Sequence, residues 1–249
     1  MAVEIKLVEN IDEMSQLSDF FQMIWANGPE VVPFDIGYAI VHVGGYAALA
    51  YSQKEIVGAS FGVRGVYDHK PILHSHVTAS LIPGIGYELK QHQFQWAKNE
   101  DIKAITWTFD PLVRRNCVFN LDKLGAQVVE FLPNFYGTMT DDINAGDTSD
   151  RLFTYWPLAG RKYQPLNETK NVALANHAGH PVPQEFDANS PYAIYLPEDI
   201  ELLRKSNLGL VKLWRTSVHD LLNSAFASGG KIEQMIDNRK ALLITPSKG

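Results

Sequence analysis

The feature that most constrains this chain lies between residues 72 and 109. A strand rich in small and β-branched residues (Ile72 to Leu81) runs into Pro83-Gly84-Ile85-Gly86, then a helical segment (Tyr87 to Asn99), then a second strand (Ala104 to Phe109). Two strands joined through a helix favour parallel pairing, because the crossover returns the chain to the end from which it started. Just upstream, Tyr46 to Ser52 and Ile56 to Val66 flank Gln53-Lys54-Glu55, a hairpin signal that calls for antiparallel pairing. A mixed sheet satisfies both demands. The expected fold class is α/β, in its α+β form with a mixed sheet.

The flanking segments fit that frame. Val3 to Val8 reads as a strand, and Asn10 as the N-cap of a helix over Ile11 to Trp25, whose apolar residues Met14, Leu17, Phe20, Phe21 and Ile24 form one stripe. Gly28-Pro29 ends it. A shorter helix, Phe34 to His42, stops at Gly44-Gly45. Beyond the crossover come a helix (Asn116 to Leu124), a strand (Gln127 to Leu132), a polar loop (Thr138 to Asp150) and a strand (Leu152 to Trp156). These divide the chain into a domain over 1–160, a connector over 161–188 rich in Asn, Pro, His and Gly, and a C-terminal extension over 189–249.

The extension reads as strand (Tyr192 to Leu196), helix (Pro197 to Lys205), helix (Leu208 to Ala227), Gly229-Gly230 and a hairpin around Asp237-Asn238. That order repeats the opening of the chain, and Asp237 follows Gly229 by eight residues just as Ser52 follows Gly44. A partial internal repeat and a coincidence in a common pattern explain this equally well.

A formal net charge of −6 with no Lys/Arg-rich run argues against an electrostatic grip on nucleic acid. One cysteine, Cys117, excludes an intramolecular disulfide and a cysteine-only metal site. The apolar runs are shorter than the roughly 18 residues of a membrane helix, and the N-terminus lacks a signal-peptide pattern. A cytoplasmic location is expected.

The chemistry concentrates around the crossover. Gly84 and Gly86 at a helix start would expose backbone N–H groups and the positive end of the helix dipole, the parts that hold a phosphate. The loop is neither a Walker loop nor a full Gly-x-Gly-x-x-Gly. His74 and His76, two apart on a strand, project from one face and suit a base near neutral pH, or else are satisfied structural histidines. A zinc site lacks a third ligand at suitable spacing, so no metal is expected. Asp110 follows the second strand, where it could bind an ammonium, orient an imidazole or cap the turn before Pro111. Arg114 and Arg115 read as surface residues or partners of phosphates, Cys117, Trp107 and Phe109 as core, and Asp150-Arg151 as an internal ion pair.

The segments LHSHVTAS, GIGYELKQHQFQWA, IKAITWTFDPLVRRNCVFNLDKLGA, NFYG and INAGDTSDRLFTYWPL resemble acetyltransferases of the GNAT superfamily that carry a Trp-Thr-Phe-Asp-Pro-Leu signature. The resemblance covers residues 1 to about 160 and continues weakly through the tail. It implies the GNAT acyl-CoA N-acyltransferase fold, to which the residues of the tail add the strand-helix-helix-hairpin extension read above. It also implies acetyl-CoA, or another acyl-CoA, as co-substrate, and a small-molecule amine as acceptor. The pantetheine arm would pair with Val77, Thr78, Ala79 and Ser80, and the diphosphate would sit on Gly84, Ile85, Gly86 and Tyr87. Asn116 would hold the cofactor arm. The loop lacks the Arg or Gln expected ahead of its glycines, and Leu121 stands where many relatives place a proton-donating Tyr, leaving Tyr136 and Asn116 as nearby candidates. Without a Ser-His-Asp or Cys-His arrangement, direct attack by the amine is expected. The alternative is a GNAT-fold module that binds CoA or another ligand without turnover. The tail could cover the acceptor side of the cleft or build a subunit contact, as in a homodimer.

Overall fold

In the computed structural model, residues 3–25, 30–137, 147–160 and 168–247 are described; Gly28-Pro29 and most of the Thr138–Asp150 loop lie outside them. The chain divides into two compact units, one formed by residues 1–107 with 157–159, the other by 108–156 with 160–249.

The first unit opens with β1 (Glu4–Leu7) and α1 (Ile11–Ile24), whose N-cap Asn10 accepts from the Glu13 N–H at 2.9 Å. Met14, Leu17, Phe20 and Phe21 of α1 are buried against Ala47, Leu49, Ala59 and Phe61. The second helix, α2 (Phe34–His42), ends at Gly44, whose φ of 95° only glycine adopts readily. Gln53 and Lys54, both at positive φ, turn β2 (Tyr46–Ser52) into β3 (Glu55–Tyr67). Next come β4 (Lys70–Ser80), α3 (Ile85–Lys98) and β5 (Ala104–Phe109), whose last two residues count with the second unit.

The strand order is β1-β2-β3-β4-β5, antiparallel up to β4, with β4 and β5 parallel. This is the expected mixed sheet. Ala59 packs in the α1 cluster, whereas a Cβ on neighbouring Gly58 would meet Leu89 and Ile85 of α3. Successive residues point to opposite faces, so α1 and α3 cover opposite sides of the sheet.

The second unit contains α4 (Arg114–Cys117), which runs on as a π-helix over Val118–Lys123, and the antiparallel pair β6 (Gln127–Leu132) and β7 (Arg151–Pro157). It continues through β8 (Val172–His177), β9 (His180–Pro183), β10 (Tyr192–Tyr195), α5 (Ile200–Ser206), α6 (Leu208–Ala227), β11 (Lys231–Ile236) and β12 (Ala241–Thr245). Five of these strands form a sheet in the order β11-β12-β10-β8-β9. The indole N–H of Trp214 on α6 donates to the Gly179 carbonyl at 2.9 Å, tying that helix to the β8–β9 turn. Among the described residues no helix is long and apolar enough to cross a membrane.

Two sequence expectations need correction. The segment read as a connector contains the β8–β9 hairpin, closed by Ala178 and Gly179 at positive φ. Pro181 and Pro183 are tolerated there because β9 is a sheet edge, where a missing N–H costs no ladder bond. The helices begin elsewhere than read: α3 and α4 each start two residues earlier, and α5 starts at Ile200, after the side-chain cap Asp199. The repeated element order does not extend to strand order, since β1 lies on β2 whereas β10 lies on β12.

Candidate functional site

The parallel contact of β4 with β5 is short. It pairs Ile72 with Ala104, Leu73 with Ile105 and His74 with Thr106, and from Ser75 to Ser80 no pairing on that side is present among the described residues. The strands therefore part beyond His74. On its other side β4 remains paired with β3 throughout, with His76 as the extra residue of a bulge between the Val77–Phe61 and Ser75–Gly62 pairs.

The register decides which peptide groups face the open edge. Leu81 N–H donates to the Val57 carbonyl at 2.9 Å, so this is a hydrogen-bonded pair. Such pairs alternate along an antiparallel ladder, which turns the peptides of Ala79 and Val77 toward β3 and those of Thr78 and Ser80 outward. Of the four residues expected along the pantetheine arm, Thr78 and Ser80 thus present main-chain donors and acceptors, while Val77 and Ala79 send side chains into the α1 cluster.

The edge leads to the start of α3. Gly84, at φ 94°, occupies the N-cap position without a side-chain cap, and a Cβ built on it meets nothing within 4 Å. The Ile85 N–H is turned to the Ile82 carbonyl (3.3 Å) and that of Tyr87 to the Gly84 carbonyl (3.0 Å). The N–H groups of Gly84 and Gly86 have no acceptor among the described residues. Of the four loop residues, the two glycines are therefore the available donors, and the Ile85 side chain is core, packed with Ala50, Val57 and Leu89.

The two histidines differ. His74 is half-buried with Nδ1 3.1 Å from Thr106 Oγ1. Burial, helped by the nearby charges of His76 and Lys90, lowers its pKa to about 4, so it is neutral at pH 7 and a weak base. His76 is exposed, with Nε2 3.3 Å from the Val31 carbonyl. A carbonyl can only accept, so Nε2 carries a proton, and in the neutral ring the lone pair lies on Nδ1.

A residue that the sequence reading passed over stands beneath them. Lys90 of α3 is 6% exposed, donates from Nζ to Ser75 Oγ at 2.7 Å and lies 4.1 Å from the centroid of the Trp107 ring. Burial lowers its pKa to about 7. Nearby, Gln93 Nε2 donates to Ser60 Oγ (3.3 Å), which lies 2.8 Å from Thr78 Oγ1.

Asp110 and Asn116 belong to the second unit. The Asp110 carboxylate is buried, receives Arg215 Nη1 and Nη2 (2.9 and 2.8 Å) and Arg204 Nη2 (2.7 Å), and caps the Leu112 N–H at 2.8 Å. Asp147 shares both arginines. Burial alone would raise the Asp110 pKa, but Arg215, with Arg204 and Arg151, outweighs it and holds the carboxyl down at about 2. With both oxygens engaged, Asp110 is the anchor of an ion cluster and a turn cap, not an ammonium site or imidazole partner.

Asn116 is half-buried on α4, its N–H turned to the Val113 carbonyl. Arg115 is paired with Glu201. Cys117 is buried, donates to the Pro111 carbonyl and is pushed away from thiolate character by burial, as core packing requires. Asp150 and Arg151 do not pair through their side chains: Arg151 donates to the Asp150 main-chain carbonyl, while the Asp150 carboxylate takes the Asn134 N–H and lies 2.9 Å from His219 Nδ1. Leu121 is buried, and the Tyr136 hydroxyl lies 3.1 Å from Thr108 Oγ1.

No protein-family model matches the chain, and no curated protein matches it. Solved structures do. The chain is similar to yncA of Salmonella typhimurium, assigned as an acetyltransferase and solved with its cofactor acetyl-CoA, at 11% identity and a TM-score of 0.51, over 65% of this chain and 97% of that one. A GNAT-family acetyltransferase of Streptococcus pneumoniae matches at 12% identity and 0.49, over 62% and 98%. Naa50 of Arabidopsis thaliana, bound to a bisubstrate analogue, matches at 19% and 0.48, over 62% and 98%. The chain shares the fold of the Salmonella typhimurium structure.

Proposed function

We propose that this protein is an acyl-CoA-dependent N-acyltransferase that uses acetyl-CoA, or a related acyl-CoA, to acylate a small-molecule amine. The observation that carries this reading is the outward-facing edge of Thr78 and Ser80, which begins where β4 parts from β5 and ends at the unpartnered N–H groups of Gly84 and Gly86. A pantetheine arm carries amides that can extend a sheet edge, and a diphosphate suits free N–H groups at the positive end of a helix. The donor's two chemical halves thus meet matching groups in the right order along the chain.

In the reaction the amine attacks the thioester carbon directly. The C–N bond forms, the C–S bond breaks, and the amine must lose a proton. His76 is the base favoured over His74, because its Nδ1 has no partner among the described residues while His74 is depressed to about 4. Asp110 takes no part, being saturated by arginine. Asn116 is retained as a contact for the cofactor arm. The sequence composition favours neither nucleic acid nor membrane as a partner.

A second reading, a module that binds acyl-CoA without turnover, is favoured by one observation: Leu121 offers no proton where a hydroxyl is expected. Calorimetry with CoA and thiol release from acetyl-CoA across a panel of amines decide between them. We expect CoA to bind and thiol to appear with at least one amine. A Cβ at Gly86 would sit 3.6 Å from Ser80 Oγ, an ordinary contact, so Gly86→Val should fold yet lose CoA affinity at least tenfold. Unchanged affinity in that variant would remove the diphosphate from this helix start; binding without thiol release from any amine would favour the second reading.

A further inference from the structure

Lys90 has an unusual place in the first unit. His74 and Thr106 are the last pair between β4 and β5; Ser75 and Trp107 are the next residues on each strand. The Lys90 ammonium touches both, bonding Ser75 Oγ and lying over the Trp107 ring. It therefore stands at the fork itself, approached from α3. No carboxylate reaches it among the described residues, so a buried cation has a hydroxyl and an aromatic face for company and no counter-ion. Burying a charge without a partner is costly, and such a group invites an anion.

We infer that Lys90 is the acid of the transfer step, donating a proton to the thiolate of coenzyme A as it leaves. This rests on the acyl-CoA reading above. In that reading the pantetheine arm runs from the diphosphate at Gly84 and Gly86 back along Ser80 and Thr78, which brings its sulfur end toward Ser75. The charge that develops there is an anion on sulfur, the missing partner of the ammonium. As the C–S bond breaks, the electron pair goes to sulfur, an N–H bond of Lys90 breaks, and the thiol leaves neutral. Lys90 is left as an amine and regains a proton from solvent; the proton lost by the attacking amine goes to His76. A pKa near 7 fits a group that both gives and regains a proton near neutrality. The titratable neighbour from β4 is His74, neutral at that pH, and β5 supplies the uncharged Thr106 and Trp107.

The test needs no knowledge of the acceptor. Free CoA is bound to the wild type, Lys90→Met and Lys90→Arg, and its thiol is titrated by ultraviolet thiolate absorbance. We expect the bound thiol to be at least about tenfold more acidic in the wild type than in Lys90→Met, the effect of one opposite charge close by. Lys90→Arg should keep most of that shift and so control for folding of the site. Where an acceptor amine is found, Lys90→Arg should also lose thiol release about a hundredfold. Equal thiol acidity in the wild type and Lys90→Met would overturn the role of Lys90 with the acyl-CoA reading intact. Acetylation of Lys90 itself by acetyl-CoA would overturn it too, making the lysine an acceptor. Absence of CoA binding to the wild type would bring down both.

Discussion

Both units bury charge, and they treat it in opposite ways. In the second unit, Asp110 and Asp147 face Arg204 and Arg215, two negative charges against two positive, with each carboxylate bonded to both guanidinium groups. In the first unit, Lys90 is buried just as deeply with a serine hydroxyl and an indole face. In the sequence Asp110 read equally as a substrate or imidazole contact and as a turn cap, and Lys90 was passed over. In the structure Asp110 is held by two arginines, and no carboxylate reaches Lys90 among the described residues. A buried ion whose partners are already present belongs to the scaffold, whereas one without a partner marks where a ligand's charge can enter.

The largest effect should come from breaking the completed cluster. Asp110→Ala leaves Arg215 and Arg204 buried with one carboxylate between them, and we expect a loss of about 3–5 kcal/mol in chemical denaturation. The sign against pH follows from the lowered carboxyl. With a folded pKa of about 2 against the ordinary 3.8, Asp110 contributes stability that is whole above that ordinary value and disappears as pH falls through 2. Asp110→Ala should accordingly show a flatter acid limb. A loss under 1 kcal/mol would mean the cluster is not the anchor its geometry suggests.

Breaking the incomplete site should do the reverse. Lys90→Met removes an uncompensated cation and keeps most of the side-chain volume, so stability at neutral pH should rise by about 1–4 kcal/mol. Here the folded pKa of about 7 lies below the ordinary 10.5, so between those values the unfolded chain binds more protons. Stability of the wild type should climb with pH through that window, by up to about 1.4 kcal/mol per pH unit, and Lys90→Met should lack the climb. Denaturant melts at pH 7 and pH 10 read both quantities. A destabilised Lys90→Met would show that the cation is compensated in the free protein.

How far this contrast could be read from the sequence depends on the distance between the groups involved. The hairpin at Gln53-Lys54, the cap at Asn10 and the β4–α3–β5 crossover are local, and each was legible in neighbouring residues. Asp110 was not, because its partners lie 94 and 105 residues away on α5 and α6, and no local pattern announces them. Lys90 left a signal that was missed: it shares the buried stripe of Ile85, Leu89, Gln93 and Ala97, where a lysine is out of place. The parting of β4 from β5 was not legible in the residues, because strand propensity says where a strand runs and nothing about where its pairing stops.

The smallest effect separates a helix end that serves the fold from one left for a ligand. Asn207 caps α6, accepting from the Leu210 N–H at 3.0 Å, whereas α3 begins at Gly84 with no side-chain cap at all. Asn207→Ala should cost about 1 kcal/mol through the lost cap. Gly84→Ala should cost a similar amount, about 1 kcal/mol, for a different reason: φ of 94° strains any residue with a Cβ. Thermal melts alone would not tell the two variants apart; CoA calorimetry should. The methyl group at residue 84 points into space that is empty in the protein and that the diphosphate would fill, so affinity should drop in Gly84→Ala and stay level in Asn207→Ala. If both variants bound CoA as the wild type does, the uncapped end of α3 would be one more helix terminus left to water.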